Sequence, residues 1–174
     1  VAFFLYVGVE VMAGDTIINF GLEQGFTEDE AKLFTTYTLY GMLFGYVMGI
    51  LFIPKKLSQH KALLYSAILG VILSLGATFI PNPTIAVGCV AFLGIANALM
   101  WPALWPLAIN GLGKHTELGS ALIIMMIAGG ALIPLLYGYL ADNYLNIQLA
   151  YIIMIPAYLF IYYYAKIGHT RTKW

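Results

Sequence analysis

Residues 96–111 read ANALMWPALWPLAING, an apolar stretch that carries two Trp-Pro pairs four residues apart and two asparagines. Each proline removes a backbone donor, and each asparagine brings a polar amide into a segment otherwise suited to lipid. Membrane helices retain such groups where neighbouring protein or water satisfies them. We therefore predict that this segment is a bent helix that lines a cavity inside a membrane protein.

The composition of the whole chain supports a membrane location. Of the 174 residues, 61% are hydrophobic and 9% are charged, whereas about a quarter of the residues are charged in soluble domains. The formal net charge is zero, so the composition does not indicate a nucleic-acid partner. The single cysteine, Cys89, cannot form an intramolecular disulfide, and the histidines show no metal-ligand spacing. We predict an integral membrane protein without a cofactor or a bound metal.

Six apolar runs in the sequence are each long enough to cross a bilayer, which takes roughly 20 residues. Polar connections separate these runs, and Pro54, Pro81 and Pro83 mark stops. Because the connections are short, we expect consecutive helices to be antiparallel neighbours. The six predicted spans are residues 1–21, 33–53, 62–80, 84–111, 118–140 and 147–167.

The basic residues predict the orientation of the chain. Successive connections alternate between the two membrane faces, and most basic residues fall on the face that also holds both chain ends. By the positive-inside rule that face is cytoplasmic, so we expect both ends of the segment inside the cell and the chain in the inner membrane. The basic residues on this face are Lys55, Lys56, Lys61, Lys114, Lys166, Arg171 and Lys173.

Polar residues in the first span mark a candidate binding site. Glu10, Asp15 and Asn19 interrupt an apolar helix, where a carboxylate costs a few kcal/mol unless it faces protein or a wet cavity. Glu10 and Asp15 differ by about 140° around a helix, so only a wide cavity would take both. The alternative is a structural role, in which either carboxyl group bonds a neighbouring helix.

The fourth span carries a second polar set. Asn97, Trp101 and Trp105 recur every four residues, and each step turns a helix by about 40°, which predicts a single stripe. An indole stacks on the C–H face of a sugar ring, and an amide both donates to and accepts from hydroxyls. The stripe therefore favours a neutral polyhydroxylated ligand. The alternative is that the tryptophans fill space between helices or anchor at an interface.

The two polar spans are the first members of two successive triplets of spans. Because three is odd, the second triplet is inverted relative to the first. Inverted three-helix repeats with polar segments at corresponding positions and a ligand near the midplane are typical of secondary transporters. We therefore predict an all-α membrane fold of six transmembrane helices arranged as two inverted three-helix repeats.

Several ordered blocks resemble the fucose/glucose/galactose permease family of the major facilitator superfamily. They are FLYVGVEVMAG (4–14), IINFG (17–21), NALMWP (97–102), LAINGLGKHTELGSALIIM (107–125) and GGALIPLLYGYLAD (129–142). The resemblance implies that residues 1–174 are the C-terminal half of a twelve-helix transporter whose N-terminal six-helix half is absent. It further implies a sugar substrate, a co-transported cation (H⁺ or Na⁺), contact with membrane lipid and no enzymatic activity.

The resemblance also implies roles for individual residues. Glu10 and Asn19 match polar positions of the family's seventh helix, and Asn97 matches its tenth. Asp15 and the two tryptophans depart from the family pattern, so the exact sugar stays open. The predicted substrate-binding residues are Glu10, Asp15, Asn19, Asn97, Trp101 and Trp105.

Two other classes of function compete with sugar transport. One is an intramembrane enzyme that uses Glu10 and Asp15 as an acid–base pair, but the sequence shows no nucleophile–base arrangement, metal set or phosphate loop. The other is a stand-alone six-helix protein that dimerises to form a transporter or pore for another small polar solute. A homologous N-terminal half in the same reading frame would exclude the second class.

Overall fold

The computed structural model describes residues 1–53 and 55–170, and the described residues form helices and turns without a strand. Five helical segments are long and apolar enough to cross a membrane, and two bent helices at the N-terminal end make a sixth when they are counted together. The predicted all-α membrane fold is confirmed. Pro54, Arg171 and Lys173, which contributed to the predicted boundaries and orientation, lie outside the described residues.

Each of the six spans consists of one or two α-helices, and 3₁₀ turns join the helices of spans 5 and 6. The spans follow the predicted runs to within a few residues. Span 1 contains α1 (Ala2–Asp15) and α2 (Ile17–Glu23), span 2 contains the short α3 (Glu28–Ala31) and α4 (Phe34–Phe52), span 3 is α5 (Gln59–Phe79), span 4 contains α6 (Pro83–Ala98) and α7 (Met100–Ile109), span 5 contains α8 (Thr116–Met125) and α9 (Gly129–Asn143), and span 6 contains α10 (Ile147–Ala150) and α11 (Met154–Lys166).

Polar caps explain where two of these helices begin. Thr27 and Glu30 form a reciprocal capping box at the start of α3, which satisfies two backbone donors that have no partner inside the helix. Asn82 accepts a hydrogen bond from the Ile85 N–H at 3.1 Å, and Pro83 occupies the first turn of α6, where no backbone donor is needed. The connections predicted from polar residues and prolines therefore set the helix ends.

The sharpest bend lies in span 1 at Thr16, where α1 and α2 meet at 49°. The Thr16 hydroxyl is 2.7 Å from the Met12 carbonyl and 2.6 Å from the Tyr151 hydroxyl. The Thr35 hydroxyl donates to the Gly14 carbonyl at 2.9 Å. Side chains from spans 2 and 6 thus bond to groups at the break in span 1, which is one of the recognised causes of a kink. This bend was not predicted from the sequence, because no proline marks it.

The predicted interruption of span 4 is present but milder. Helix α6 ends at Ala98, four residues before Pro102, which has no N–H to bond the Ala98 carbonyl. Helix α7 begins at Met100, and residues 83–109 still qualify as one span. The prolines interrupt the hydrogen bonding of span 4 without producing the largest bend of the chain.

Packing between spans does not follow chain order. The most extensive contacts join span 2 to 4, span 3 to 4, span 3 to 6 and span 1 to 5, whereas α4 and α5 make few or none. The expectation that consecutive helices are neighbours is therefore wrong for spans 2 and 3, since a short loop requires only that two helix ends meet. If spans 1, 2 and 3 correspond to spans 4, 5 and 6, the contact between spans 1 and 5 corresponds to the contact between spans 4 and 2. This symmetry is the one that two inverted three-helix repeats produce.

Contacts at the two ends of the bundle separate the connections into two groups. At one end, Gln24 after α2 donates to the Gln148 side chain of α10 at 3.1 Å. At the other end, the ring of His60 at the start of α5 stacks on His169, with 5.9 Å between ring centroids. The beginning of span 3 and the segment after span 6 therefore lie at the same end, as alternating spans require.

Replacing Gln148 with leucine should destabilise the end of the bundle where spans 1, 3 and 6 meet. Gln148 donates to the Ala77 and Ile80 carbonyls at 3.1 and 2.8 Å and accepts from Gln24 at 3.1 Å. We expect a loss of about 1–3 kcal/mol in the free energy of unfolding, seen as a lower Tm in thermal unfolding of the protein in mild detergent. Gln59→Leu, at an exposed position, is the control, and an equal Tm for the two variants would contradict the expectation.

Candidate functional site

The candidate site is centred on Glu10, a partly buried carboxylate on α1. Tyr6, one turn earlier on the same face, is buried and donates its hydroxyl to Glu10 Oε1 at 2.7 Å. The hydroxyls of Tyr46 in span 2 and Tyr158 in span 6 lie within electrostatic range of the same carboxylate. Tyr6 therefore bonds to Glu10, and the other two tyrosines lie near enough to interact with its charge. We call Glu10 and these three tyrosines the Glu10 cluster.

Two stacked indoles adjoin the Glu10 cluster. The Trp101 ring lies 6.1 Å from the Tyr6 ring and 5.7 Å from the Trp105 ring, centroid to centroid, with 29° between the indole planes. Phe3 of α1 meets both indoles edge-on at 5.2 and 6.1 Å. Both indoles are partly exposed to an open cleft of about 500 Å³. The residues lining this indole cleft are Trp101, Pro102, Trp105, Pro106 and Ile124.

Asn97 takes a different position from the two tryptophans. Its side chain is 1% exposed, and its Oδ1 accepts a hydrogen bond from the Tyr158 hydroxyl at 2.8 Å. The indole cleft does not include it. Asn97 is one turn before Trp101 on span 4, with the single-residue break at Leu99 between them. The amide therefore lies inside the bundle, whereas the two indoles that follow it line a cleft.

Asp15 and Asn19 lie beyond the Glu10 cluster along span 1. Asp15 ends α1 at the bend instead of occupying the middle of a continuous helix, and Asn19 belongs to α2. Both residues are exposed. The hydrogen bonds of the Glu10 cluster include neither side chain among the described residues. Of the residues predicted for the site, the structure thus brings Glu10 and Trp101 together through Tyr6.

The three tyrosines of the Glu10 cluster are not among the residues predicted from sequence. Tyrosines in membrane helices commonly anchor at the interface, so they carried no signal for a site. The four-residue spacing of Tyr6 and Glu10 was a usable signal, because residues four apart meet on a helix surface. Tyr158 was out of reach, since its contact with Asn97 joins residues 61 positions apart in the chain.

The site offers hydrogen bonding, stacking and one titratable group. A carboxylate accepts bonds from hydroxyls, an amide donates to them, and indoles cover an apolar ring face. Within residues 1–53 and 55–170, no group of three or more His, Cys, Asp or Glu is placed to hold a metal ion. The arrangement suits a neutral ligand that has several hydroxyls and one apolar face.

Comparison with known proteins identifies the superfamily of the chain. No family model matches the chain. The chain is 34% identical to a glucose/galactose transporter of Brucella abortus, in an alignment that covers 97% of this chain and 41% of that protein. It is 29% identical to the L-fucose-proton symporter of Escherichia coli, in an alignment that covers 94% of this chain and 37% of that protein. The crystal structure of the major facilitator superfamily transporter FucP in the outward conformation matches 98% of the chain with a TM-score of 0.91 and 25% identity, over 41% of that protein. The chain is a half-fold of the major facilitator superfamily.

This half-fold confirms the predicted family resemblance and the fold of six helices in two inverted repeats. The relatives and the structural neighbour are transporters, which confirms that a member of this family is not an enzyme. Together with helices apolar enough to span a bilayer, they show an integral membrane protein. The chain spans about two fifths of the length of the curated relatives it matches.

Proposed function

We propose that this chain is the C-terminal half of a transporter that moves a hexose or related sugar across the inner membrane by alternating access. The observation that carries the proposal is the Glu10 cluster beside the stacked indoles Trp101 and Trp105. A carboxylate among tyrosines recognises hydroxyls, and indoles recognise the apolar face of a sugar ring. The names of the glucose/galactose and fucose relatives support this substrate class.

We further propose that transport is coupled to a cation and that the cation is H⁺. The Escherichia coli relative is a fucose-proton symporter, and an ionisable residue inside a membrane protein commonly belongs to a substrate or proton pathway. Glu10 is such a residue, and it either binds sugar hydroxyls directly or titrates with the gradient. Na⁺ is the competing cation, so a test of coupling needs both gradients.

The proposed partner of this chain is the N-terminal six-helix half of the same transporter. Among the five long apolar helical segments, spans 2 and 5 are the least buried: 22% and 6% of an 18-residue apolar stretch in each is buried among the described residues. This leaves exposed faces for a second half as well as for lipid. Alternating access then comes from movement of one half against the other around the site. The lysines at the end of the bundle where His60 and His169 meet support a cytoplasmic location for that end.

Truncating Trp101 to alanine should weaken sugar binding. Losing one stacking surface predicts a rise in KM of about three- to tenfold, measured as initial uptake of labelled sugar into proteoliposomes that contain the full-length protein. Phe92→Ala is the matched control, because Phe92 is an exposed aromatic residue on the same span and lies outside the indole cleft. An unchanged KM in Trp101→Ala would argue that the indoles only fill space.

A further inference from the structure

Asn97 and Tyr158 form a buried polar pair in which one donor lacks a partner. Asn97 is 1% exposed, and Tyr158 is fully buried. The Tyr158 hydroxyl donates to Asn97 Oδ1 at 2.8 Å, while Asn97 Nδ2 has no hydrogen-bond partner among the described residues. A buried donor without a partner carries the full cost of its desolvation. The amide nitrogen is therefore a buried donor whose partner the described residues do not supply.

The bond from Tyr158 determines which end of the Asn97 amide stays free. A carboxamide has an acceptor oxygen at one end and two N–H donors at the other. Because Tyr158 occupies the oxygen, the free end is the donor end. The Tyr158 ring packs against Gly70 of span 3, where an added Cβ would lie 2.5 Å from ring atom Cε1. The absence of a side chain at Gly70 thus leaves room for the Tyr158 ring.

This pair lies next to the site described above. Asn97 is one turn before Trp101 on span 4, and Trp101 contacts Tyr6, which binds Glu10. Tyr158 is within electrostatic range of Glu10. Glu10 on α1 and Asn97 on α6 belong to helices in contact, and they offer an acceptor and a donor, which is the complement that a set of hydroxyls needs.

We propose that Tyr158 is a positioning residue, which holds Asn97 so that its amide nitrogen donates a hydrogen bond to one hydroxyl oxygen of the transported sugar. This inference rests on the proposed function. Span 6 then contributes to substrate selection indirectly, because the hydrogen bond from Tyr158 orients Asn97 and Tyr158 itself does not contact the sugar. A resident water would also satisfy the donor, and competition by deoxy sugars distinguishes a sugar hydroxyl from a water.

The test uses Tyr158→Phe, which removes only the hydroxyl, in the full-length protein reconstituted in proteoliposomes. The probe is whichever of D-glucose, D-galactose and L-fucose the unmodified protein accumulates, with its monodeoxy analogues as competitors. We expect the KM to rise roughly three- to tenfold with little change in kcat. The preference for the sugar over one deoxy analogue should shrink by a similar factor. Tyr162→Phe, one turn further along α11, is the control and should leave KM unchanged.

Asn97→Ala provides a second variant in case Tyr158→Phe does not fold, and it should lose the preference over the same deoxy analogue. In the Asn97→Ala background, Tyr158→Phe should add no further rise in KM, because both changes remove one interaction. Additive effects, or an unchanged KM in Tyr158→Phe, would overturn this inference alone. Equal weakening toward the sugar and every analogue would show that the amide contacts no single sugar hydroxyl, as when it binds a resident water, and would also overturn it. Accumulation of none of the three sugars by the unmodified protein would overturn the proposed function and this inference with it.

Discussion

Replacing Glu10 with glutamine should raise the KM for the transported sugar by roughly 10- to 100-fold. The substitution keeps the size of the side chain and an oxygen that can accept the Tyr6 hydroxyl, which donates to Glu10 Oε1 at 2.7 Å. What it removes is the charge, and hydrogen bonds to a charged acceptor are stronger than those to a neutral one. The measurement is initial uptake of labelled sugar by the full-length protein in proteoliposomes.

Glu117→Gln is the matched control for this prediction, because Glu117 is an exposed carboxylate in the first turn of α8. Its KM should equal that of the unmodified protein. A lower Tm without any rise in KM in Glu10→Gln would show that the carboxylate only stabilises the helix bundle. Equal KM values for the Glu10 and Glu117 variants would contradict a role for Glu10 in sugar binding.

Replacing Gly129 with valine should prevent spans 1 and 5 from packing. A Cβ at this position would lie 2.7 Å from the Phe4 carbonyl carbon and 3.0 Å from Phe4 Cα. These are backbone atoms, which cannot move aside as the end of a side chain can. Gly8 faces span 5 in the same way, since its added Cβ would lie 2.6 Å from Ile133 Cβ. We expect a loss of about 3 kcal/mol or more and a low yield of folded protein.

Gly138→Val is the control for this packing prediction. Gly138 lies on the same helix, α9, and apart from its chain neighbours and the adjacent backbone of that helix, no heavy atom of the described residues lies within 4 Å of a Cβ added there. The two variants are compared by thermal unfolding and by size-exclusion chromatography in mild detergent. The same Tm for both valine variants would show that spans 1 and 5 do not approach as closely as the structure has them.

The features of the fold that the lipid bilayer imposes could be predicted from the sequence. A bilayer core accepts closed hydrogen-bonded helices and little else, so hydropathy and polar connections fixed the number of spans and their approximate ends. Which spans pack together depends on local shape, such as Gly129 against the Phe4 backbone. The bend at Thr16 depends on Thr35 and Tyr151, which come from other spans. Neither kind of contact leaves a periodic signal in the sequence.

The candidate site was predictable in part for the same reason. Glu10 was identifiable because a carboxylate in an apolar helix is costly wherever it lies. The indoles Trp101 and Trp105 were placed together correctly by helical spacing, because both belong to α7. Asn97 precedes them by one turn of the same span, but it is buried and does not line the cleft. Its partner Tyr158 is distant in sequence, so only the three-dimensional structure shows the pair.

The most direct test of sugar:cation symport is uptake of labelled D-glucose, D-galactose, L-fucose and N-acetylglucosamine into proteoliposomes that contain the full-length protein, each under an imposed H⁺ or Na⁺ gradient. The proposed function predicts that at least one of these sugars accumulates against its own gradient when a proton gradient is imposed, and that a protonophore abolishes this accumulation. Accumulation driven by Na⁺ alone would contradict the assigned cation. No accumulation of any sugar under either gradient, by protein shown to be folded, would contradict sugar symport itself.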